Sequence, residues 1–315
     1  MEFRLKRRSI LVFAAVIALT LVLTSCTGMQ LGKKTGETSN VPLTHTGTKG
    51  IEMRFLQGYP PDRFYFDPET YGGRNSLSFE VEVRNSGISE ATGTLYLGGF
   101  DPNIISITKE AALKTEELPP KSMSNPEGGV YIEPFIVNSL SLPTGTEIYA
   151  PKIVLTACYD YETTANPAIC VDPDPYAPAA EKVCIPSTVA NAGGQGAPVS
   201  VSNIVVEPVP GKLQLKMDIT NVGGGVVVNE DSLGNCPYTL AYGDLNTVGV
   251  YVNAQGIPSM NCNPKTVRLT NNKATIYCSA PIAAESAYTT PLVIRLNYAY
   301  MNSITKQVEI RNIKS

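Results

Sequence analysis

Hydrophobic and polar residues alternate strictly in two distant segments of the chain. Four apolar residues occupy every second position in Leu77 to Gly87 and again in Leu213 to Gly223, and each segment closes on Asn-x-Gly. A period of two is typical of a β-strand with one buried face, and Asn and Gly favour the tight turn that follows. The predicted inward positions are Leu77, Phe79, Val81 and Val83 in the first segment and Leu213, Leu215, Met217 and Ile219 in the second.

A second pair of segments repeats in the same way. Residues 153–161 and 292–300 alternate between apolar and polar positions, and both end in Tyr-x-Tyr. The two pairs are offset by almost the same number of residues, which predicts two successive domains of one plan. The inward positions here are Ile153, Leu155, Ala157, Tyr159 and Tyr161, and Leu292, Ile294, Leu296, Tyr298 and Tyr300.

Other short runs of apolar residues lie between these segments, separated by some of the 24 prolines and 26 glycines, and no stretch after the N-terminus has a helical period. This pattern predicts an all-β chain with two tandem immunoglobulin-like antiparallel β-sandwiches. The predicted sandwiches are residues 50–186 and 199–315. The linker between them is 187–198, whose Gly-Gly-Gln-Gly lacks the Lys-Ser/Thr of a phosphate loop, and no cofactor is expected.

The N-terminus has the layout of a secretory signal. Basic residues precede an uncharged run, Ile10 to Leu23, that is shorter than the ~20 residues of a membrane-spanning helix. The run ends in Leu-Thr-Ser-Cys26, which resembles a lipobox and predicts a signal over 1–26 with a lipidated Cys26. The alternatives are an uncleaved anchor helix, or a signal cut nearby with Cys26 incidental. Residues 27–49 are typical of a flexible tether. Each reading places the rest of the chain outside the cytoplasmic membrane, and the lipobox reading expected here anchors it to that membrane.

Six cysteines remain after Cys26, and in an exported chain they predict disulfides. A hairpin after residue 162 favours Cys158 pairing with Cys170, since both point away from the core. A turn at Asn271-Asn272 favours Cys262 pairing with Cys278. That leaves two residues that either join across the linker or stay free, and these are Cys184 and Cys236.

The composition argues against an enzyme. The only histidine, His45, lies in the predicted tether, so a Ser-His-Asp or Cys-His site lacks a fixed base, and no Trp is present to line a sugar cleft. Asp172 and Asp174, with Asp160 and Glu162 placed near them by the same hairpin, are a calcium candidate, and an ordinary acidic turn is the alternative. A net charge of −3 without a Lys/Arg-rich patch argues against nucleic acid as a partner.

One loop is a candidate for partner binding. Residues 57–73 place five aromatic rings among prolines and charges, and exposed aromatic residues often anchor a partner. The alternative is that these rings pack over the end of the first sandwich. The rings are Tyr59, Phe64, Tyr65, Phe66 and Tyr71.

The alternating strand that closes on Asn-x-Gly, and the later strand ending in Tyr-x-Tyr, resemble the CARDB-type immunoglobulin-like domains of prokaryotic, especially archaeal, surface proteins. The resemblance implies a non-catalytic module that binds, adheres or acts as a spacer. The expected function is that of a membrane-anchored extracytoplasmic protein with an unidentified surface protein or polysaccharide as its partner. The alternative is a structural subunit of an envelope layer or filament that assembles through sheet edges.

Overall fold

The structure is a computed structural model that describes residues 46–71, 76–192 and 194–313, which form strands, loops and short 3-10 helices. The predicted all-β class is confirmed. The predicted signal with Cys26, and the tether as far as residue 45, lie outside the described residues. Within the part of the chain that is described, no helix has the length and apolar character needed to cross a bilayer.

Twenty strands contain about half of the residues that the structure describes. In the first half of the chain they are β1 (Ile51–Phe55), β2 (Arg63–Phe66), β3 (Ser78–Asn85), β4 (Gly93–Gly98), β5 (Ile105–Ile107), β6 (Glu110–Ala112), β7 (Val130–Leu140), β8 (Ile148–Tyr149), β9 (Lys152–Ala165) and β10 (Ala168–Val171). In the second half they are β11 (Val189–Asn191), β12 (Val199–Val209), β13 (Lys212–Asn221), β14 (Val226–Val228), β15 (Thr247–Ala254), β16 (Asn261–Asn263), β17 (Thr266–Arg268), β18 (Lys273–Pro281), β19 (Tyr288–Gln307) and β20 (Glu309–Asn312).

Each half contains a set of strands that follow the same order along the chain and pair in the same way. In the first half β1, β3, β7 and β5 form one sheet in that order, and β9, β4 and β6 lie side by side in another. In the second half β12, β13, β18 and β16 form the equivalent of the first sheet, and β19, β15 and β17 the equivalent of the second. The internal repeat of the sequence therefore corresponds to a repeat of the fold.

The two halves are joined by their equivalent long strands. β9 and β19 pair antiparallel, with Tyr161 opposite Tyr298 and Tyr159 opposite Tyr300, so that one sheet runs β17-β15-β19-β9-β4-β6. Tyr159 and Tyr298 are equivalent positions of the two halves, and so are Tyr161 and Tyr300. Because the pairing joins non-equivalent tyrosines, an approximate two-fold axis relates the halves and passes through the Asp160–Ala299 pair. Directly opposed residues of an antiparallel pair share a face, so the inward residues of both halves lie on one side of this sheet.

The same ladder extends beyond both ends of the β9–β19 pair. β10 pairs with the start of β19, and β20 pairs with β8, in the register that β9 and β19 use, while β2 pairs parallel to β20. Each half therefore contributes a strand to the other. The sequence analysis places a linker at 187–198, and the structure has β11 within that segment, paired with β12.

The core follows the alternation of the sequence. Every position predicted to face inward on β3, β9, β13 and β19, together with Leu77 just before β3, is buried, and all of them belong to one hydrophobic cluster. Complete burial of a Val, Leu, Ile, Phe or Met side chain stabilises a fold by roughly 1.5–3 kcal/mol. The apolar face of each strand therefore sets which side of each sheet is covered and which side remains for contact with other molecules.

Candidate partner-binding surface

The Asn-x-Gly motif ends β3 and β13 in the same way. Asn85 accepts a hydrogen bond from the Gly87 N–H at 3.1 Å and donates one to the Ser89 carbonyl at 2.9 Å. Asn221 makes the equivalent bonds, from the Gly223 N–H at 3.2 Å and to the Gly225 carbonyl at 2.9 Å. In each turn one asparagine side chain thus provides a hydrogen-bond partner for a backbone N–H and for a backbone carbonyl. This role is structural.

The Tyr-x-Tyr motif forms a buried cluster at the two-fold axis. Neighbouring rings among the four tyrosines have centroids 5.9–6.3 Å apart. The Tyr159 hydroxyl accepts the Ile51 N–H at 3.1 Å, and the equivalent Tyr298 hydroxyl accepts the Val199 N–H at 3.3 Å. These bonds attach β1 and β12, which are equivalent strands of the two halves, to the shared sheet.

Burial sets the titration of this cluster. Loss of contact with water raises the pKa of Tyr161 to about 12, and it raises the pKa values of Tyr159 and Tyr298 well above the ordinary tyrosine value. All three hydroxyls therefore stay protonated at neutral pH. The cluster joins the two halves and does not offer a group for proton transfer at that pH.

The aromatic loop predicted to bind a partner is divided between core and surface. Phe64 and Phe66 are buried, and Tyr71 packs edge-on against both, with ring centroids 6.3 Å and 5.5 Å away. Tyr59 and Tyr65 remain exposed. The structure thus brings three of the five rings into the end of the first half and leaves two separate rings on the surface.

The carboxylates considered for calcium are placed differently from the sequence-based expectation. Asp172 is buried, and its carboxylate lies 2.7 Å from the Nζ of Lys182, which also donates to the carbonyl of Asp174. Asp160 and Glu162 lie on the middle of β9, in the sheet shared by both halves. No group of three or more metal-ligating side chains occurs among the described residues. The cation that the Asp172 carboxylate holds is the lysine ammonium.

The described cysteines form three disulfides, Cys158–Cys236, Cys170–Cys184 and Cys262–Cys278. The last pair confirms the sequence-based prediction, because β16 and β18 place these residues directly opposite one another.

The predicted Cys158–Cys170 pair is wrong. The chain does not turn back along β9, because β10 continues in line with β9 along the same partner, β19, so Cys170 never lies opposite Cys158. The expectation that Cys184 and Cys236 join each other or stay free is wrong as well, since each bonds one of those two residues.

A stripe of exposed apolar residues lies on the outer face of β7. Val130 is 44% exposed, Ile132 51% and Ile136 65%, and Pro134 between them is exposed too. Tyr131 and Phe135, which occupy alternate positions of the strand, are buried in the core. We call Val130, Ile132, Pro134 and Ile136 the β7 stripe. It places aliphatic side chains side by side in water, which is unfavourable for an isolated monomer.

The same part of β7 is a free sheet edge. β3 pairs with β7 on one side, and β5 pairs on the other side only from Val137 to Leu140, so within the described residues Val130–Ile136 has one neighbour. The Asn85 N–H donates to the Gly129 carbonyl, and by alternation along an antiparallel ladder the N–H groups of Val130, Ile132 and Ile136 point to the open side. Pro134, which has no N–H, occupies an open-side position, as proline in sheets does.

The second half lacks such a surface. β18 pairs with β13 as β7 pairs with β3, so β18 is the equivalent of β7. The residues of β18 that correspond to the β7 stripe are Lys273, Thr275, Tyr277 and Ser279. Three of these are polar or charged and the fourth carries a hydroxyl. Because the two halves share one plan, this difference is not a requirement of the fold, and it marks the β7 stripe as the surface where the halves diverge.

The β7 stripe was not predicted from the sequence. Residues 129–137 read GVYIEPFIV, in which both alternating sets are largely apolar. That two-sided pattern is also what a strand buried on both faces shows, so only the structure reveals that one face remains open. No family model matches this chain, and no curated protein matches it.

Proposed function

We propose that this chain is a membrane-anchored extracytoplasmic protein that acts as a non-catalytic binding or adhesion module. Three disulfides among the described cysteines fit an oxidising compartment, in agreement with the signal-like N-terminus. The repeated sets of a four-stranded and a three-stranded sheet fit two immunoglobulin-like sandwiches of the CARDB type, joined through their three-stranded sheets.

We further propose that the partner is a protein that adds an extended segment to the open edge of β7. The observation that carries this proposal is the coincidence of free ladder groups and exposed aliphatic side chains on the same stretch, Val130–Ile136. Strand addition obtains its affinity from main-chain hydrogen bonds and its specificity from alternate side chains. A bound segment would continue the line of β5, which already occupies this side of β7 from Val137 onward.

A groove of about 300 Å³ beside the edge gives the added segment a second row of contacts. Its walls include Glu110 and Ala111 of β6, and Glu133 and Phe135 of β7. Side chains of the added segment that point away from the stripe would enter this groove. The Glu133 carboxylate there lies 3.2 Å from the Lys114 ammonium, so the groove offers one carboxylate, Glu110, that has no ion pair within the described chain. The proposed segment therefore alternates apolar residues with polar or basic ones.

Site-specific photo-crosslinking in the native membrane tests this proposal. A photoreactive residue at position 132 or 136 is expected to capture the same partner peptide, and one at position 277, the control on the equivalent strand, is expected not to capture it. The captured segment, made as a synthetic peptide, should bind the purified protein, and Ile132→Asp should weaken binding at least tenfold while Tyr277→Asp leaves it within twofold. Identical capture at all three positions would contradict the proposal. Capture of a second copy of this chain would replace it with a layer or filament subunit.

A further inference from the structure

A second surface lies on the outer face of the shared sheet, in the second half. Arg268 on β17 lies opposite Thr247 on β15, and Tyr251 on β15 lies opposite Arg295 on β19. We call Tyr242, Tyr251, Arg268 and Arg295 the Tyr/Arg face. These residues point away from the core, because their neighbours Val248, Val252 and Val267 are buried.

Each arginine of this face stacks on a tyrosine. The Cζ of Arg268 lies 3.8 Å from the ring centroid of Tyr242, and that of Arg295 lies 4.7 Å from the ring centroid of Tyr251. Arg268 also donates a hydrogen bond of 2.8 Å to the Tyr242 carbonyl. Tyr242 is 80% exposed and Tyr251 50% exposed, so both rings retain surface for a ligand.

These two guanidinium groups lack carboxylate partners. The other arginines of the described residues each lie within 4.0 Å of a glutamate, and they are Arg54, Arg63, Arg84 and Arg311. No such pair occurs for Arg268 or Arg295 within the described chain. The whole chain has a formal charge of −3, yet this face carries two guanidinium groups without a salt bridge. The face is complementary to an anionic ligand.

The first half again provides an internal comparison. Tyr96 on β4 corresponds to Tyr251, but opposite it stands Thr156 in place of Arg295. The ring of Tyr238 packs edge-on against Tyr96 at 5.7 Å, in a loop that Cys236 attaches to β9. In one half this position is therefore covered by a tyrosine from the same chain, and in the other half it is open and carries a cation.

The chemistry of the face favours a carbohydrate over a protein. The core of a protein interface is mainly apolar. On this face Val293 is half-buried and Pro291 lies just before the part of β19 that pairs with β15, and the exposed residues that point outward from β15, β17 and that part of β19 include no aliphatic side chain. They are Thr266, Tyr251, Asn253, Arg295 and Asn297. Aromatic rings, amides and guanidinium groups match the apolar ring faces, hydroxyls and acidic groups of a sugar chain. From Thr247 to Tyr251 the strand rises about 13 Å, at roughly 3.3 Å per residue, which requires an oligomeric ligand.

We infer that the Tyr/Arg face binds an acidic polysaccharide. Sugar rings lie against Tyr242 and Tyr251, and the carboxylates or sulfates of the chain accept paired hydrogen bonds from Arg268 and Arg295. Carboxylate and sulfate groups both present a pair of acceptor oxygens to a guanidinium group. This site is separate from the strand addition proposed for β7, and each is tested with residues that the other does not use.

Biolayer interferometry of the purified full chain at about 0.15 M salt tests the inference. The immobilised probes are polygalacturonate, which carries carboxylates, dextran sulfate, which carries sulfates, and neutral dextran. The protein is expected to bind at least one anionic polymer and not neutral dextran, and the stronger of the two identifies the acidic group. The double variant Arg268→Gln, Arg295→Gln should weaken binding at least tenfold, and Tyr251→Ala at least fivefold, with Tyr251→Phe close to the unchanged protein.

Matched controls separate this site from general attraction to charge. Arg54→Gln removes one charge from an exposed arginine on another sheet and is the matched control for each single variant, Arg268→Gln and Arg295→Gln. Tyr277→Ala removes a tyrosine of similar exposure to Tyr251, 55% against 50%. Both should change binding less than twofold, as should Ile132→Asp on β7. Failure to bind either anionic polymer overturns the inference. So does equal binding to neutral dextran, or a loss with Arg54→Gln as large as that with Arg268→Gln or Arg295→Gln.

Discussion

Removal of the Cys158–Cys236 disulfide should destabilise this protein more than removal of either of the other two. This bond attaches the loop after β14 to β9, so it joins a segment of the second half to a strand of the first. Its cysteines are 78 residues apart in sequence, whereas those of Cys170–Cys184 and Cys262–Cys278 are 14 and 16 apart. A crosslink restricts the unfolded chain more when the loop that it closes is longer.

The magnitude follows from the loop lengths. The chain-entropy relation gives about 4.5 kcal/mol for the loop of Cys158–Cys236 and about 3 kcal/mol for that of Cys262–Cys278 at 25 °C. The second bond is the matched control, because all four of these cysteines are buried and replacing each pair by alanine removes the same buried atoms. The difference of about 1.5 kcal/mol therefore isolates the effect of loop length.

Urea unfolding followed by circular dichroism and tyrosine fluorescence measures both variants, since the chain contains no tryptophan. The variant Cys158→Ala, Cys236→Ala should have the lower free energy of unfolding, by about 1.5 kcal/mol relative to Cys262→Ala, Cys278→Ala. Equal losses, or a larger loss in the control variant, would refute the argument from loop closure. Neither variant should become more stable when a reducing agent is added. This result checks that the two variants differ only in the intended bond.

Two further predictions concern the contacts around the two-fold axis. The pKa of Tyr161 is about 12 in the folded chain and near 10 in the unfolded chain, so its contribution to stability is complete below pH 10 and is lost as the pH rises through 12, with Tyr159 and Tyr298 acting in the same direction. The free energy of unfolding, measured from pH 9 to 12, should fall, and less so in Tyr161→Phe; a flat profile would contradict the burial of these hydroxyls. A methyl group on Gly87 would collide with the Tyr161 hydroxyl, so Gly87→Ala should cost about 1–3 kcal/mol. Gly98→Ala, where no atom lies within 4 Å of the added carbon, should stay within about 0.5 kcal/mol, and equal effects would exclude the collision as the cause.

The faces of the strands were predictable from sequence because alternation depends only on neighbouring positions. Leu77, Phe79, Val81 and Val83 read as one face, and all four are buried. The turn at Asn271-Asn272 was predictable for the same reason, since Cys262 and Cys278 lie on either side of a short local hairpin. Local patterns therefore specify the orientation of each strand and the pairing of close neighbours.

Pairing between distant strands was not predictable in this way. The same residues of β9 face inward whether β10 or β19 lies beside it. Because β19 is the strand that pairs with β9, Cys170 lies away from Cys158. The partner of Asp172 was hidden for a related reason, because Lys182 reaches it only once the Cys170–Cys184 loop has folded back. The functional candidates share this limit, since exposure of the β7 stripe depends on how far β5 extends.

The register shared by β8, β9 and β10 with β19 and β20 has a mechanical consequence. A load applied along these strands acts across many ladder hydrogen bonds in parallel. In antiparallel pairs those bonds lie perpendicular to the strands, so such a load shears them together and cannot open them one at a time. In the membrane-anchored binding role proposed above, this arrangement would resist separation of the halves at forces that would peel a single hairpin apart.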